Sequence, residues 1–220
     1  MAIATLIKET FGSFTILETY VCLTLLLTCL SCKSKIRHFQ WIAAISFLNV
    51  ANIFLSHFLL IIKIPIALNS SIYVILHHTL WLVLLFANVR LPKPYKNIII
   101  TVFLTSAILN LLFFEGFHKF NYYTFIAGAL IYLVAFILES FYQLQKEKLD
   151  FFQSNTYLIL CAPVLFFIGF SFMFGFKSRS VTSAVVFGSV KLYAFISCFA
   201  NIAYYTIINI YIYKERKLKK

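Results

Sequence analysis

The chain has 220 residues and a formal net charge of +12; 62% of its residues are hydrophobic and 12% are charged. Soluble domains are about half apolar and about a quarter charged, so this composition excludes a water-soluble globular domain. It also excludes intrinsic disorder, which requires low hydrophobicity. The five Cys, an odd number within apolar segments, exclude a secreted disulfide scaffold. We therefore predict an all-α polytopic membrane protein.

Seven stretches are long and apolar enough to cross a membrane, which takes about 20 residues of helix. In chain order they cover residues 11–32, 41–62, 71–89, 97–114, 122–144, 155–176 and 183–213. The connectors between them are short. We therefore predict a single seven-helix transmembrane domain over residues 1–220, with no soluble domain that could act as a kinase, cyclase or nuclease.

The distribution of basic residues predicts how the chain is threaded, because Lys and Arg accumulate in short cytoplasmic loops. Thirteen of the 19 Lys and Arg residues fall in segments 33–37, 90–96, 146–148 and 214–220. Five fall in the N-terminal segment and the alternate connectors. This bias predicts an N-terminus outside and a C-terminus in the cytoplasm. The net charge then reflects topology and attraction to anionic lipid headgroups, and no nucleic-acid partner is predicted.

Polar and small side chains recur at intervals of three and four residues, which places them on one face of each helix. Such faces mark contacts between helices, whereas the sixth span carries a run of Phe residues in its outer half. The predicted inward faces include Thr15, Glu18, Cys22, Cys29 and Cys32 in the first span; Ser46, Asn49, Asn52 and Ser56 in the second; Tyr73, His77, Trp81 and Asn88 in the third; and Gly128, Tyr132 and Glu139 in the fifth.

Ionisable side chains within the spans are the strongest functional indication, because each costs at least about 2.5 kcal/mol at the bilayer centre. Counting along the predicted helices at about 1.5 Å per residue places a carboxylate, an ammonium and three imidazoles in one layer of the outer half. The candidate ligand-binding residues in and around this layer are Glu18, Asn52, His57, Tyr73, His77, His78, Trp81 and Lys191.

Three interpretations of this layer remain open. In the first, Glu18 and Lys191 form an ion pair between the first and last helices. In the second, a pocket open to the outside holds a polar or zwitterionic solute between Glu18 and Lys191, with Tyr73 and Trp81 stacked on it. In the third, Glu18, His57 and either His77 or His78 form a Zn²⁺ site with an open position for water.

No cofactor other than this alternative Zn²⁺ is predicted, and no catalytic residue is assigned. Lys191 on the last helix invites comparison with a retinal Schiff base. The third span, however, has no carboxylate to serve as a counter-ion, so retinal is not predicted.

The C-terminal part carries a resemblance to a known group of proteins. The runs LESFYQLQKEKLDFFQSN (138–155) and FANIAYYTIINI (199–210) flank an aromatic span. They resemble the small, uncharacterised seven-transmembrane inner-membrane proteins of Bacteroidota, over roughly the last third of the chain. The resemblance implies a multi-pass protein of the bacterial inner membrane, with Glu139 and Asn201 as partner contacts. It also implies a partner such as a two-component histidine kinase.

The sequence thus supports three functional hypotheses. The first is a seven-helix sensor or signalling accessory that has a polar pocket in the outer half of the membrane and acts through a partner. The second is a small-solute or ion transporter that uses the same polar layer. The third is a metal-dependent membrane hydrolase, the one hypothesis of the three that makes the protein an enzyme.

Overall fold

A computed structural model describes residues 15–31, 37–176, 183–188 and 190–217. Within these residues the chain forms eight α-helices, one π-helical turn (Asn110–Phe114) and one two-stranded antiparallel hairpin. The α-helices are α1 (Ile16–Ser31), α2 (Arg37–Ile61), α3 (Ala67–Asn88), α4 (Lys93–Leu109), α5 (Tyr122–Gln145), α6 (Leu149–Gln153), α7 (Asn155–Gly175) and α8 (Leu192–Lys217), and the strands are β1 (Val185–Phe187) and β2 (Val190–Lys191).

Six of the described helices are long and apolar enough to cross a membrane, namely α2, α3, α4 with its π-helical extension, α5, α7 and α8. They indicate a multi-pass membrane protein. Helix α1 has 16 residues and is about 24 Å long, shorter than a typical hydrocarbon core of about 30 Å. Residues 11–14 and 32 of the predicted first span lie outside the described residues. The predicted second to sixth spans begin and end within four residues of the helices.

The start of the last predicted span was wrong, because α8 begins at Leu192 and not at residue 183. Residues before it form the hairpin, whose turn holds Gly188 at a φ of +54°, a conformation that Gly adopts without strain. The β-branched residues around Gly188 favour extended structure over helix. The fold is therefore mainly helical, as predicted, with one short hairpin before α8.

The helices enclose a core in a closed ring. Helix α1 packs against α2 and α8, α2 against α3, α3 against α5, α5 against α7, and α7 against α8. Helix α4 lies outside this ring, against α3 and α5. The largest fully buried side chains, including Trp81, Tyr132 and Tyr204, fill the middle of the ring.

Polar side chains join α2 to α3 along the predicted stripe of α2. The Tyr73 hydroxyl donates to Asn49 Oδ1 at 3.0 Å. Asn69 Nδ2 donates to both Asn52 Oδ1 and Ser56 Oγ, each at 3.0 Å. The period of three and four residues therefore identified the contact face of α2.

The predicted face of α1 was wrong by about one residue. Its buried side chains are Val21, Thr24 and Thr28, whereas Cys22 is half-buried and Cys29 is exposed. A Thr hydroxyl can be buried in a helix contact because it donates to the carbonyl four residues earlier. Thr24 and Thr28 both do so, at 3.0 and 2.7 Å. Cys32 lies outside the described residues.

Candidate functional site

One end of the helix ring encloses a cavity of about 370 Å³, which we call the Glu18 cavity. Every helix of the ring contributes to its wall, whereas α4 does not. The lining residues are Leu17, Glu18, Val21, Asn49, Asn52, Ile53, Ser70, Tyr73, Val74, Phe120, Phe125, Phe166, Phe170, Phe174, Tyr193, Asn201 and Tyr205.

Glu18 is positioned by a local motif at the start of α1. The backbone N–H of Thr15 donates to Glu18 Oε2 at 2.6 Å, and the backbone N–H of Glu18 donates to Thr15 Oγ1 at 3.3 Å. This reciprocal pair is a capping box, whose Thr-x-x-Glu spacing is readable in the sequence. Glu18 therefore lies in the first turn of α1. The predicted stretch 11–32 had instead implied a position about two turns after the start of the helix.

The partner of Glu18 is His57. Glu18 Oε1 lies 2.8 Å from His57 Nε2, and the two side chains are 23% and 15% exposed. This is the one ion pair within the residues that the structure describes, so the predicted pair with Lys191 is not formed. Lys191 is exposed on β2. Helix α1 is instead held to α8 by the hydroxyls of Tyr20 and Thr206, 3.1 Å apart.

Aromatic rings form the opposite wall. Phe166, Phe170 and Phe174, which belong to the Phe run of the sixth predicted span, repeat every four residues of α7, so their rings share one face. Phe125 of α5 packs edge-on against Phe174, with ring centroids 5.0 Å apart. Phe120 packs against the same ring at 5.2 Å. These contacts hold the rings of the wall in place.

His77 and Trp81 share one face of α3 with Tyr73 and contact Tyr204 of α8; we call these three buried side chains the Trp81 network. Trp81 Nε1 donates to the Tyr204 hydroxyl at 2.9 Å and lies 3.2 Å from His77 Nε2. His77 Nε2 lies 3.1 Å from the Tyr204 hydroxyl. The His77 and Tyr73 rings are 5.2 Å apart, so the network adjoins the cavity wall through Tyr73.

His78 packs on another side of α3, because successive residues of a helix point about 100° apart. Its Nδ1 lies 2.9 Å from the Val74 carbonyl oxygen. Its ring stacks on Phe167, with centroids 4.6 Å apart, and faces Gly128. His78 therefore fills the core between α3, α5 and α7 and does not line the cavity.

The structure brings together part of the predicted ligand set. Glu18, Asn52 and Tyr73 line the cavity, and His57 lies directly behind Glu18. His77 and Trp81 belong to the Trp81 network, whereas His78 and Lys191 lie elsewhere. Among the polar and aromatic lining residues, sequence reasoning found no indication of a site role for Ser70, Phe120 and Phe125, because single Ser or aromatic residues give no periodic polar pattern.

The proposed Zn²⁺ ligands do not come together. Glu18 and His57 are in contact, but His77 is engaged with Trp81 and Tyr204. Within the described ranges no group of three His, Cys, Asp or Glu side chains could hold a metal ion. The hydrolase hypothesis therefore has no support from this arrangement.

The two residues implied as partner contacts occupy different places. Asn201 lines the Glu18 cavity, and its Nδ2 donates to the Ser197 carbonyl oxygen at 2.8 Å. Glu139 is buried at the other end of the molecule. Its Oε2 accepts the backbone N–H of Arg90 at 3.2 Å, and its Oε1 accepts Gln143 Nε2 at 2.6 Å. Glu139 thus ties α5 to the basic connector between α3 and α4.

Comparisons with known proteins add no identification to this geometry. The chain matches no protein-family model, no curated protein and no solved structure. What it does must therefore be argued from the cavity itself.

Proposed function

We propose that this chain is a seven-helix inner-membrane sensor or signalling accessory that binds a small organic cation in the Glu18 cavity. The proposal includes an N-terminus outside, a C-terminus in the cytoplasm, and α1 as part of the first span. The observation that carries the proposal is the cavity wall, which combines one carboxylate with eight aromatic rings.

The charge of the wall favours a cation over the zwitterion considered from the sequence. The anionic end of a zwitterion needs a donor of opposite charge in the cavity wall, and Lys191 does not line the cavity. His57 lies beside Glu18, but it is paired with Glu18 and does not line the cavity either. Aromatic ring faces attract cations, and a carboxylate supplies the opposite charge. A carboxylate accepts about four hydrogen bonds. Thr15 and His57 take three of those positions, so Glu18 can accept one more from a ligand.

The region beneath the cavity favours a sensor over an open pore. The Trp81 network and the packed rings of His77 and Phe166, 5.6 Å apart, fill the ring of helices there. A solute bound at Glu18 would therefore alter the packing of α1, α7 and α8 without passing through. We propose that the basic cytoplasmic connectors and the C-terminal end of α8 transmit this change to a membrane or cytoplasmic partner such as a histidine kinase.

Glu18→Gln is expected to weaken binding of an organic cation by at least about tenfold, because a hydrogen bond to a charged group contributes about 1.5–3 kcal/mol. Isothermal titration of the purified protein with tryptamine, neutral tryptophol and anionic indole-3-propionate measures the effect. These probes share one aromatic body and differ in charge. Tryptamine should bind most tightly to the unmodified protein, and its advantage should disappear in Glu18→Gln.

Glu147→Gln is the matched control, because it removes an exposed carboxylate from the connector between α5 and α6, which does not line the cavity. It should leave tryptamine binding unchanged. Equal affinities for the three probes, or the same loss in both variants, would contradict recognition of a cation by Glu18.

A transporter is the second candidate, because polar groups continue from Tyr73 into the core, although the Trp81 network closes this path in the present packing. Alternating access would require this network to open. Uptake of labelled tryptamine into proteoliposomes tests the transporter against the sensor. Flux that Glu18→Gln abolishes supports transport, whereas binding without flux supports the sensor.

A further inference from the structure

A second cavity, of about 680 Å³, lies between α4 and α5 on the outer side of the helix ring. Ile99 of α4 forms part of one wall. Leu130, Val134 and Leu138 of α5, each more than half exposed, form the other. They repeat every four residues and so line an apolar trough about 12 Å long. We call this cavity the Arg90 groove, because Arg90 lies at its polar end.

Two cations gather on one aromatic ring at that end. The Arg90 guanidinium carbon lies 5.1 Å from the centroid of the Tyr142 ring, and Arg90 Nη1 donates to the Tyr142 hydroxyl at 3.2 Å. Lys146 Nζ lies 6.0 Å from the same centroid. Because Glu18–His57 is the one ion pair among the described side chains, no carboxylate of the described residues lies within 4.0 Å of either cation. The polar end of the groove is therefore complementary to an anion.

Glu139 lines the groove, but its carboxylate does not form an ion pair with Arg90 or Lys146. Both of its oxygens accept hydrogen bonds, one from the Arg90 backbone N–H and one from Gln143 Nε2. The guanidinium of Arg90 has five N–H donors, of which the contact with Tyr142 uses one. Its remaining donors are held close to the apolar trough by the Tyr142 ring.

We propose that the Arg90 groove binds one phospholipid with an anionic headgroup. An acyl chain lies along the trough, and the phosphate lies at Arg90 and Lys146. An apolar trough that ends at two uncompensated cations is complementary to an anionic amphiphile. A zwitterionic lipid would add a third positive charge to this end, so its net attraction is weaker. This proposal is independent of the Glu18 cavity.

Native mass spectrometry of the full chain in detergent micelles tests the proposal. Phosphatidylglycerol and phosphatidylcholine with the same acyl chains are added at equal concentrations, and phosphatidylglycerol should bind at least about tenfold more tightly. Arg90→Gln should lower phosphatidylglycerol affinity about tenfold by removing one charge-assisted contact. The backbone N–H that Glu139 accepts remains in this variant. Arg216→Gln, at an exposed position in the last turn of α8, should leave the affinity unchanged.

Val134→Trp tests the trough itself, because the larger side chain would occupy the place of the acyl chain. It should abolish phosphatidylglycerol binding, whereas Val102→Trp, at an exposed position of α4 outside the groove, should not. If Arg90→Gln fails to fold, Lys146→Gln is a second variant that removes a cation from the proposed phosphate site. Equal binding of the two lipids, or equal effects of Arg90→Gln and Arg216→Gln, would overturn the proposal. The proposal would also be overturned if glycerol 3-phosphate bound as tightly as phosphatidylglycerol and if Val134→Trp left that binding unchanged, because the site would then bind phosphate alone.

Discussion

Gly128→Ala is expected to lower the free energy of unfolding by about 1–3 kcal/mol, the usual cost of overpacking a core. A Cβ at this position would lie 2.5 Å from His78 Cδ2 and 3.0 Å from Phe103 Cε2. The His78 ring cannot easily move away, because it is stacked on Phe167 and its Nδ1 is hydrogen-bonded to the carbonyl oxygen of Val74. Denaturation of the purified protein in mixed micelles, followed by circular dichroism, measures the loss.

The control is Gly175→Ala at the end of α7, where a Cβ would meet nothing within 4 Å. This variant should unfold at nearly the same denaturant concentration as the unmodified protein. In a double-mutant cycle, His78→Ala should relieve part of the cost of Gly128→Ala, because it removes the clashing ring. Strictly additive losses would show that contact with His78 is not the cause.

Tyr204→Phe is expected to destabilise the protein by about 0.5–1.5 kcal/mol, because it removes one buried hydrogen-bond acceptor and leaves Trp81 Nε1 with only its longer contact to His77 Nε2. The Tyr204 hydroxyl accepts Trp81 Nε1 at 2.9 Å and lies 3.1 Å from His77 Nε2. All three side chains are almost completely buried, so water does not replace the lost hydroxyl. The same denaturation assay measures the change, and Trp fluorescence reports the altered surroundings of Trp81.

Tyr213→Phe supplies the matched control on the same helix, since Tyr213 is 58% exposed. It should change the free energy of unfolding by less than about 0.5 kcal/mol, as is usual for surface substitutions. If Tyr204→Phe is equally mild, the Trp81 network does not stabilise the core, and opening it for transport would cost little. A large loss would make that opening costly and would favour the sensor.

Most of the helical architecture was predictable, because membrane-spanning helices are set by length and hydropathy. The second to sixth predicted spans agree with α2, α3, α4 with its extension, α5 and α7. The last span was predicted too long because its first residues are apolar. Hydropathy does not distinguish a Val-rich hairpin around Gly188 from a helix start.

The candidate site was predicted less completely than the fold. The polar stripe of α2 identified part of the cavity wall, since it follows the helical period, whereas the Phe run of α7 was not assigned to the site. The depth of Glu18 was counted from residue 11, whereas α1 begins at Ile16. The Thr15–Glu18 capping box marks the helix start at Ile16, and this motif could have corrected the depth.

The sequence by itself determined that this is a multi-pass membrane protein, because hydropathy and helical periodicity are properties of neighbouring residues along one chain. Only the tertiary structure decided that Glu18 pairs with His57, that His77 contacts Tyr204, and that Lys191 lies outside the cavity. These outcomes depend on how each helix is rotated and where it begins. A rotation of one residue, about 100°, moves a side chain from the cavity to a neighbouring helix.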